Sequence, residues 1–136
     1  IGRGRMNPAG SPLMNSSNSE TPSCPLGPLN ALAQLDARAA ADSLLSAVDV
    51  QAHLHGLADW ALGAGHIARR FDFPDFHHTM AFVNALAWVA HRADHHPDME
   101  VGYNRCTVRW STHSAGGLTL KDMICAAQVD ALCRKV

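Results

Sequence analysis

The spacing of apolar residues after position 45 changes from a helical period to strict alternation. Ser46, followed three residues later by Asp49, is typical of a helix N-cap with an acidic first turn, and Gly56 suits the end of that helix. Apolar and polar residues then alternate on both sides of the turn sequence at positions 63–65. This stretch therefore predicts a short helix followed by a β-hairpin.

A long amphipathic helix is predicted after the hairpin. Pro74 and Asp75 suit its first turn, the helical pattern runs to about Ala93, and Pro97 prevents it from continuing. Its apolar residues recur at alternate spacings of four and three. The predicted buried stripe consists of Phe76, Met80, Val83, Ala87 and Ala90.

Alternation returns after this helix. Cys106, Val108 and Trp110 share one face of a strand, whereas Val101 and Tyr103 have the opposite parity. A change of parity needs an extra residue or a turn, which is predicted near positions 104 and 105. The two segments therefore predict a second pair of strands.

A last helix is predicted after the glycines at positions 116 and 117. Thr119, with Asp122 three residues later, resembles a capping box, and His113 lies before it at a strand end, on the polar face. The element order is αββαββα. This order predicts an α+β fold, in which a four-stranded antiparallel sheet carries its helices on one face.

The sheet face without helices is predicted to carry polar residues as well as larger apolar side chains. It carries Arg69 or Arg70, together with Thr107 and Arg109. Such a face contacts either solvent or a second subunit, and we expect a homo-oligomer.

The chain changes character near residue 29. Five of its seven prolines precede that point, among Ser, Asn and Gly, and few large apolar side chains accompany them. Such a segment cannot offset its ordering entropy by burial. We predict a disordered N-terminal extension over 1–28, with 1–5 resembling a cloning remnant. Residues 29–44 are left open between an Ala-rich helix and a linker, and 45–136 form the folded domain.

Composition excludes several classes of protein. A chain of 136 residues with 47% hydrophobic side chains suits one compact domain. Its net charge of -1 offers no basic face for nucleic acid or anionic membranes. No apolar run approaches the roughly 18 residues of a membrane span. The four cysteines have no CxxC spacing and are interpreted as reduced thiols, so a soluble cytoplasmic protein is predicted.

The histidines carry the candidate chemistry. His95 and His96 follow the long helix, and His113 lies seventeen residues beyond His96. Imidazole gives and takes protons near pH 7, although histidines at a helix C-terminus also serve simply as caps. His91 and His95 have the i, i+4 spacing of some metal sites, but the chain lacks an HExxH glutamate.

A composite motif connects these residues to a known family. Its order is His91-x-x-x-His95-His96-Pro97, then Tyr103, then Ser111-Thr112-His113, then Asp122. This order and spacing resemble the pterin-4a-carbinolamine dehydratases, and the resemblance covers roughly residues 45–134. The chain has His91 and Met99 at positions where relatives often have glutamate and an aromatic residue, respectively.

The resemblance implies a reaction and its residues. A 4a-hydroxytetrahydropterin would lose water to give the quinonoid dihydropterin, with no metal and no additional cofactor. His95 and His113 would be the acid and base, in either order, and His96 would contact the pterin or the leaving hydroxyl. The implied pterin-binding or orienting residues are Asp94, Asp122, Ser111, Thr112, Pro97 and His91; for Asp122 a role as helix cap is equally open.

The resemblance also implies partners and alternatives. Family members assemble as dimers or tetramers and recycle the pterin of an aromatic amino acid hydroxylase. Some act as dimerisation cofactors of a homeodomain transcription factor, so a non-catalytic binding module of the same fold is an alternative. A metal-dependent hydrolase using His91, His95 and His113 is a further one.

Overall fold

The computed structural model describes residues 30–133, which form three α-helices and four β-strands in the predicted order αββαββα. The α+β fold is confirmed. The helices are α1 (Ala47–His55), α2 (Phe76–Ala93) and α3 (Leu120–Cys133). The strands are β1 (Ala61–Leu62), β2 (Ile67–Asp72), β3 (Asp98–Val101) and β4 (Arg105–Trp110). Short 3-10 helices occupy Ala31–Gln34, Ala37–Ala39 and His113–Ala115.

Local capping fixes the ends of α1 as predicted. The Ser46 hydroxyl accepts the N–H of Asp49 at 3.1 Å, and the N–H of Gly56 reaches the carbonyls of the last turn. Both interactions pair backbone groups that a helix end leaves free. The ends of α1 therefore follow from local chemistry.

The N-terminus of α2 is capped by Asp75, whose carboxylate accepts the N–H of His78 at 2.9 Å. Of the predicted buried stripe of this helix, Ala90 is buried and Val83 is partly buried against the core. The prediction is wrong for Phe76 and Ala87, which are exposed, because α2 carries apolar residues on more than one face. Thr79 can be buried because its hydroxyl proton is shared between the carbonyls of Asp75 and Tyr103, at 2.8 and 2.9 Å. The buried residues are Thr79, Phe82, Leu86, Val89, Ala90 and Ala93.

The four strands form one antiparallel sheet in the order β1-β2-β4-β3. In its centre, Ile67 pairs with Trp110 and Phe71 with Cys106, and all four side chains are fully buried. These residues share the face on which α2 and α3 pack. Burial on that face fixes the register, because a slip of one residue exposes the whole apolar set.

The opposite sheet face carries the polar side chains of Arg70, Thr107 and Arg109, three of the residues predicted for it. The sequence did not decide whether Arg69 or Arg70 lies on this face, and the structure places Arg70 there. Arg69 has the parity of the buried strand residues and lies on the helix-covered face, with its guanidinium 4.3 Å from the ring centre of Phe71.

Residues 30–44 form two 3-10 turns that pack on α3. Gln128 donates to the carbonyls of Ala33 and Leu35, and Lys121 donates to those of Ala37 and Arg38. The predicted extension over 1–28 lies outside the described residues, and the predicted domain boundaries stay predictions.

The cysteines differ in state. Cys106 and Cys125 are free and buried, and burial raises the pKa of their thiols to about 11 and about 12. Cys133 is disulfide-bonded, so the interpretation of the cysteines as reduced thiols is wrong for that residue. Within residues 30–133, no helix is both long and apolar enough to cross a membrane.

Candidate active site

The turn after α2 directs the candidate histidine into the protein. Asp94 adopts the left-handed conformation with φ of 50°, and it is the single non-glycine with positive φ among residues 30–133. The N–H of His95 then bonds the Ala90 carbonyl at 3.2 Å, and that of Asp94 bonds the His91 carbonyl. This is the bonding pattern with which helices commonly end at a residue in the left-handed conformation. Because the chain reverses here, His95 points back toward the sheet and α3.

His95 forms a short hydrogen bond with Asp122 in the first turn of α3. The distance from Nε2 of the imidazole to Oδ1 of the carboxylate is 2.6 Å, and the side chains are 12% and 0% exposed. A carboxylate only accepts hydrogen bonds, so Nε2 carries the proton. Nδ1 is consequently the ring nitrogen that remains for other partners.

The second oxygen of Asp122 is also fully engaged. Oδ2 accepts the Thr112 hydroxyl at 2.7 Å and the Thr119 N–H at 2.9 Å. The Thr119 hydroxyl lies 2.9 Å from that of Thr112 and donates to it, since the Thr112 proton is directed at the carboxylate. Every member of this buried network therefore has a partner, as a buried charge requires.

The imidazole ring of His95 also stacks on the indole ring of Trp110, the last residue of β4. The two rings stack with centres 5.4 Å apart and planes inclined by 20°. Trp110 is fully buried. Its Nε1 is the single buried side-chain N or O atom without a hydrogen-bond partner in the part of the chain that the structure describes.

The other two predicted catalytic histidines lie at the surface. His96 follows His95 directly, and His113 opens the 3-10 helix for which Thr112 is the N-cap; both are exposed. Within residues 30–133 no hydrogen bond joins their side chains to the His95–Asp122 pair. They nevertheless adjoin the hydrogen-bonded network in sequence, His96 next to His95 and His113 next to Thr112.

The predicted binding residues are distributed around this pair. Asp94 is exposed, 3.9 Å from Arg38, and His91 is exposed with its ring edge against Trp88. Pro97 and Ser111 are half-buried. Of the predicted site residues, hydrogen bonds bring together His95, Asp122 and Thr112.

Two residues around the His95–Asp122 pair were not predicted as site residues. Thr119 was identified only as a helix cap, and Trp110 only as a buried strand residue. The capping-box spacing pointed to the contact between Thr119 and Asp122. Nothing local in the sequence indicates that Trp110 stacks on His95, because the contact joins residues of different elements.

A cavity of about 560 Å³ lies elsewhere, between the N-terminal 3-10 turns, α2 and α3. None of the predicted site residues lines it. Among residues 30–133, no group of three or more His, Cys, Asp or Glu side chains is arranged to hold a metal ion. The candidate site is therefore the surface around the His95–Asp122 pair.

The family model described as pterin 4 alpha carbinolamine dehydratase matches residues 43–132, which include the whole hydrogen-bonded pair. The chain belongs to this family. Two relatives carry the name "Putative pterin-4-alpha-carbinolamine dehydratase". The one from Chromobacterium violaceum is 55% identical over 82 residues, which are 60% of this chain and 76% of the relative. The one from Bdellovibrio bacteriovorus is 47% identical over 95 residues, which are 67% and 79%.

A solved structure agrees with this carbinolamine dehydratase assignment. The crystal structure of a transcriptional coactivator/pterin dehydratase from Brucella melitensis superposes with a TM-score of 0.62 at 33% identity. The likeness covers 65% of this chain and 97% of that one. The predicted resemblance and the predicted fold are thus both confirmed.

Proposed function

We propose that this protein dehydrates a 4a-hydroxytetrahydropterin to the quinonoid dihydropterin and water, using histidines as general acid and base. The observation that carries the proposal is the His95–Asp122 pair at 2.6 Å, in a chain of the carbinolamine dehydratase family. An imidazole oriented by a buried carboxylate suits proton transfer near neutral pH.

The reaction needs one proton donor and one proton acceptor. The bond between C4a and its hydroxyl oxygen breaks, and a proton delivered to that oxygen lets it leave as water. The ring nitrogen that supplies the electron pair loses its own proton. Protons balance because one is donated and one is accepted, so no redox partner or additional cofactor enters the proposed step.

The geometry favours an orienting role for Asp122 over direct contact with the pterin. Its side chain is fully buried, and both oxygens are occupied by His95, Thr112 and Thr119. With Nε2–H held by the carboxylate, Nδ1 is the atom through which His95 would exchange a proton. The carboxylate also stabilises the imidazolium form while it carries that proton.

The exposed histidines supply the second proton-transfer group in this proposal. His113 takes the acid or base role complementary to His95, and His96 contacts the pterin or the leaving hydroxyl. Their exposure suits groups that must meet a substrate arriving from solvent. Asp94, His91, Pro97 and the Ser111 backbone are proposed to line the pterin site around them.

A histidine scan tests the proposal. The dehydration of enzymatically generated 4a-hydroxytetrahydropterin is followed optically for wild type, His95→Ala, His96→Ala and His113→Ala. Because positioned acids and bases typically contribute about 10²–10⁴-fold, we expect losses of about that size for His95→Ala and His113→Ala. The loss for His96→Ala is expected to be smaller.

His77→Ala is the matched control, because His77 is an exposed histidine in the first turn of α2, at the end opposite His95. It should keep the wild-type rate. Equal rates for wild type and all three site variants, or no acceleration by wild type over the spontaneous reaction, would reject the catalytic proposal.

We also propose a cellular setting for this reaction. We expect coupling to an aromatic amino acid hydroxylase, which would supply the hydroxylated pterin, and a cytoplasmic location. Self-association into dimers or tetramers is favoured by exposed apolar side chains on the edge strand β3, where Met99 and Val101 are 38% and 44% exposed.

A protein-binding role is the second candidate function. On α2, Trp88 is 67% exposed, and Phe76, also exposed, stacks on Tyr103 with ring centres 6.5 Å apart. Exposed aromatic residues of this kind are typical of interaction surfaces. If the protein acts only by binding a partner at Trp88, Trp88→Ala should abolish the biological function while His95→Ala leaves it intact.

A further inference from the structure

Trp110 combines two properties that a purely structural core residue does not need. Its ring stacks on His95 at 5.4 Å, and its Nε1–H is buried without a partner among residues 30–133. A buried unpaired donor costs free energy that an apolar side chain of similar size would avoid. The packing of the core therefore does not by itself account for tryptophan at this position.

The stacking restrains a motion that the carboxylate leaves free. One hydrogen bond from Nε2 to Asp122 fixes the position of one ring atom, while the ring can still tilt about that bond. A flat aromatic surface parallel to the imidazole within 20° prevents the tilt. Asp122 and Trp110 together define both the direction and the plane of the ring.

We propose that Trp110 is a positioning residue that holds the plane of the His95 imidazole and thereby aims Nδ1 at the substrate. This inference rests on the proposed catalytic role of His95. Trp110 does not itself touch the substrate, because its side chain is fully buried behind the imidazole. Displacements of a reacting group by about 1 Å can cost up to about 10²-fold in rate, so loss of the stack should appear in kcat.

The test compares Trp110→Phe, which keeps an aromatic face and lacks the N–H, with Trp110→Leu, which lacks both. We expect Trp110→Phe to retain at least about half of the wild-type kcat, and Trp110→Leu to lose about tenfold, with KM within about twofold in both. Rates are taken per folded protein, as established by circular dichroism. If Trp110→Leu does not fold, Trp110→Met replaces it, because its flexible side chain fills space without offering a ring.

A double-mutant cycle shows whether the effect passes through His95. In the His95→Ala background, Trp110→Leu should lower kcat no further, since the ring to be positioned is gone. Independently of activity, the imidazole ring protons of His95 should be shifted upfield by the indole in wild-type NMR spectra. That shift should persist in Trp110→Phe and vanish in Trp110→Leu.

Trp60→Leu is the matched control, because Trp60 is also a buried tryptophan of the sheet region and its Nε1 donates to Asp130 instead. It should lower stability while leaving kcat per folded protein unchanged. Equal kcat in wild type, Trp110→Phe and Trp110→Leu would overturn the inference, as would an undiminished effect of Trp110→Leu in the His95→Ala background. An inactive wild type would instead reject the proposed function, and the NMR shift would still decide whether Trp110 orders the ring.

Discussion

Helix α3 carries two aspartates eight residues apart that have different partners. Asp122, at its N-terminal end, binds the imidazole of His95 and two threonines. Asp130, two turns later, binds the guanidinium of Arg69 at 2.7 Å and the indole N–H of Trp60 at 2.9 Å. Both carboxylates face the core, and each lies in a cluster that contains a tryptophan.

The difference lies in which partner can change its charge. An arginine stays protonated throughout the physiological range, so the cluster of Asp130 is a fixed ion pair that ties α3 to strand β2. An imidazole gains and loses a proton near neutrality, so the cluster of Asp122 can exchange protons with a bound molecule. The same helix therefore supports one structural pair and one candidate catalytic pair.

The largest expected contrast is in activity. Asp122→Asn replaces an acceptor by an amide that can donate toward Nε2, which disfavours the required tautomer of His95. We expect kcat to fall by at least about 10²-fold, by analogy with the loss of an orienting carboxylate elsewhere. Asp130→Asn, the same change on the same helix, should leave kcat within about threefold. Equal losses in the two variants would erase the proposed distinction.

The structural role of Asp130 should appear in stability. Asp130→Ala removes the carboxylate that lies 2.7 Å from the buried Arg69 guanidinium, whereas the half-exposed carboxylate of Asp59 at 3.5 Å stays in place. Breaking a fully buried pair costs about 3–5 kcal/mol, and the 27% exposure of Asp130 reduces the expected loss to about 2 kcal/mol. Urea unfolding measures it. Asp59→Ala is the control and should cost less than about 1 kcal/mol; a larger loss there than for Asp130→Ala would assign the structural pair to the wrong carboxylate.

Substitution of Thr112, which donates to Asp122, should change stability and kcat less than the substitutions of the two aspartates. Thr112→Val removes the hydroxyl that donates to Oδ2 and leaves the Thr119 hydroxyl without its acceptor. We expect a loss of about 1–2 kcal/mol in the free energy of unfolding, together with a lower kcat. Thr112→Ser, which keeps the hydroxyl, should retain the wild-type free energy of unfolding and the wild-type kcat. Thr107→Val, on the sheet face without helices, is the control, and a comparable loss there would show that the effect is not specific to the network.

The smallest expected effect is in the pH dependence of stability. Burial raises the pKa of Asp130 above its usual 3.8, although Arg69 and Trp60 act in the opposite direction. The folded protein therefore holds this proton more tightly than the unfolded chain. As the pH rises from 3.8 to the higher pKa of the folded protein, the unfolded chain loses its proton first, and the free energy of unfolding falls. Relative to Asp130→Asn, wild type should lose stability over that interval in urea titrations. A gain over the same interval would mean that the ion pair outweighs burial.

Local chemistry made much of the fold predictable. The caps of α1, the parity of β4 and the capping box of α3 each depend on residues within a few positions of one another. The end of α2 was predicted for the same reason, although Asp94, rather than Pro97, makes the reversal. The apolar stripe of α2 was not predictable, because several faces of the helix are apolar and only the position of the sheet selects one.

The histidine motif was visible in the sequence, but the contacts of its side chains were not. The bond between His95 and Asp122 joins residues 27 positions apart, and the contact with Trp110 requires β4 to lie beneath the turn after α2. From the spacing alone, Asp122 could be either a helix cap or a site residue. The structure shows that it caps the Thr119 N–H with one oxygen and binds His95 with the other.

The most direct test of the proposed function is the rate of 4a-hydroxytetrahydropterin dehydration at neutral pH, measured in one series for buffer alone, wild type and folded His95→Ala. We predict that wild type accelerates the reaction well above the spontaneous rate and that His95→Ala loses most of that acceleration. A wild-type rate equal to that in buffer, or an undiminished rate in His95→Ala, would contradict the assignment of the His95–Asp122 pair as the catalytic centre.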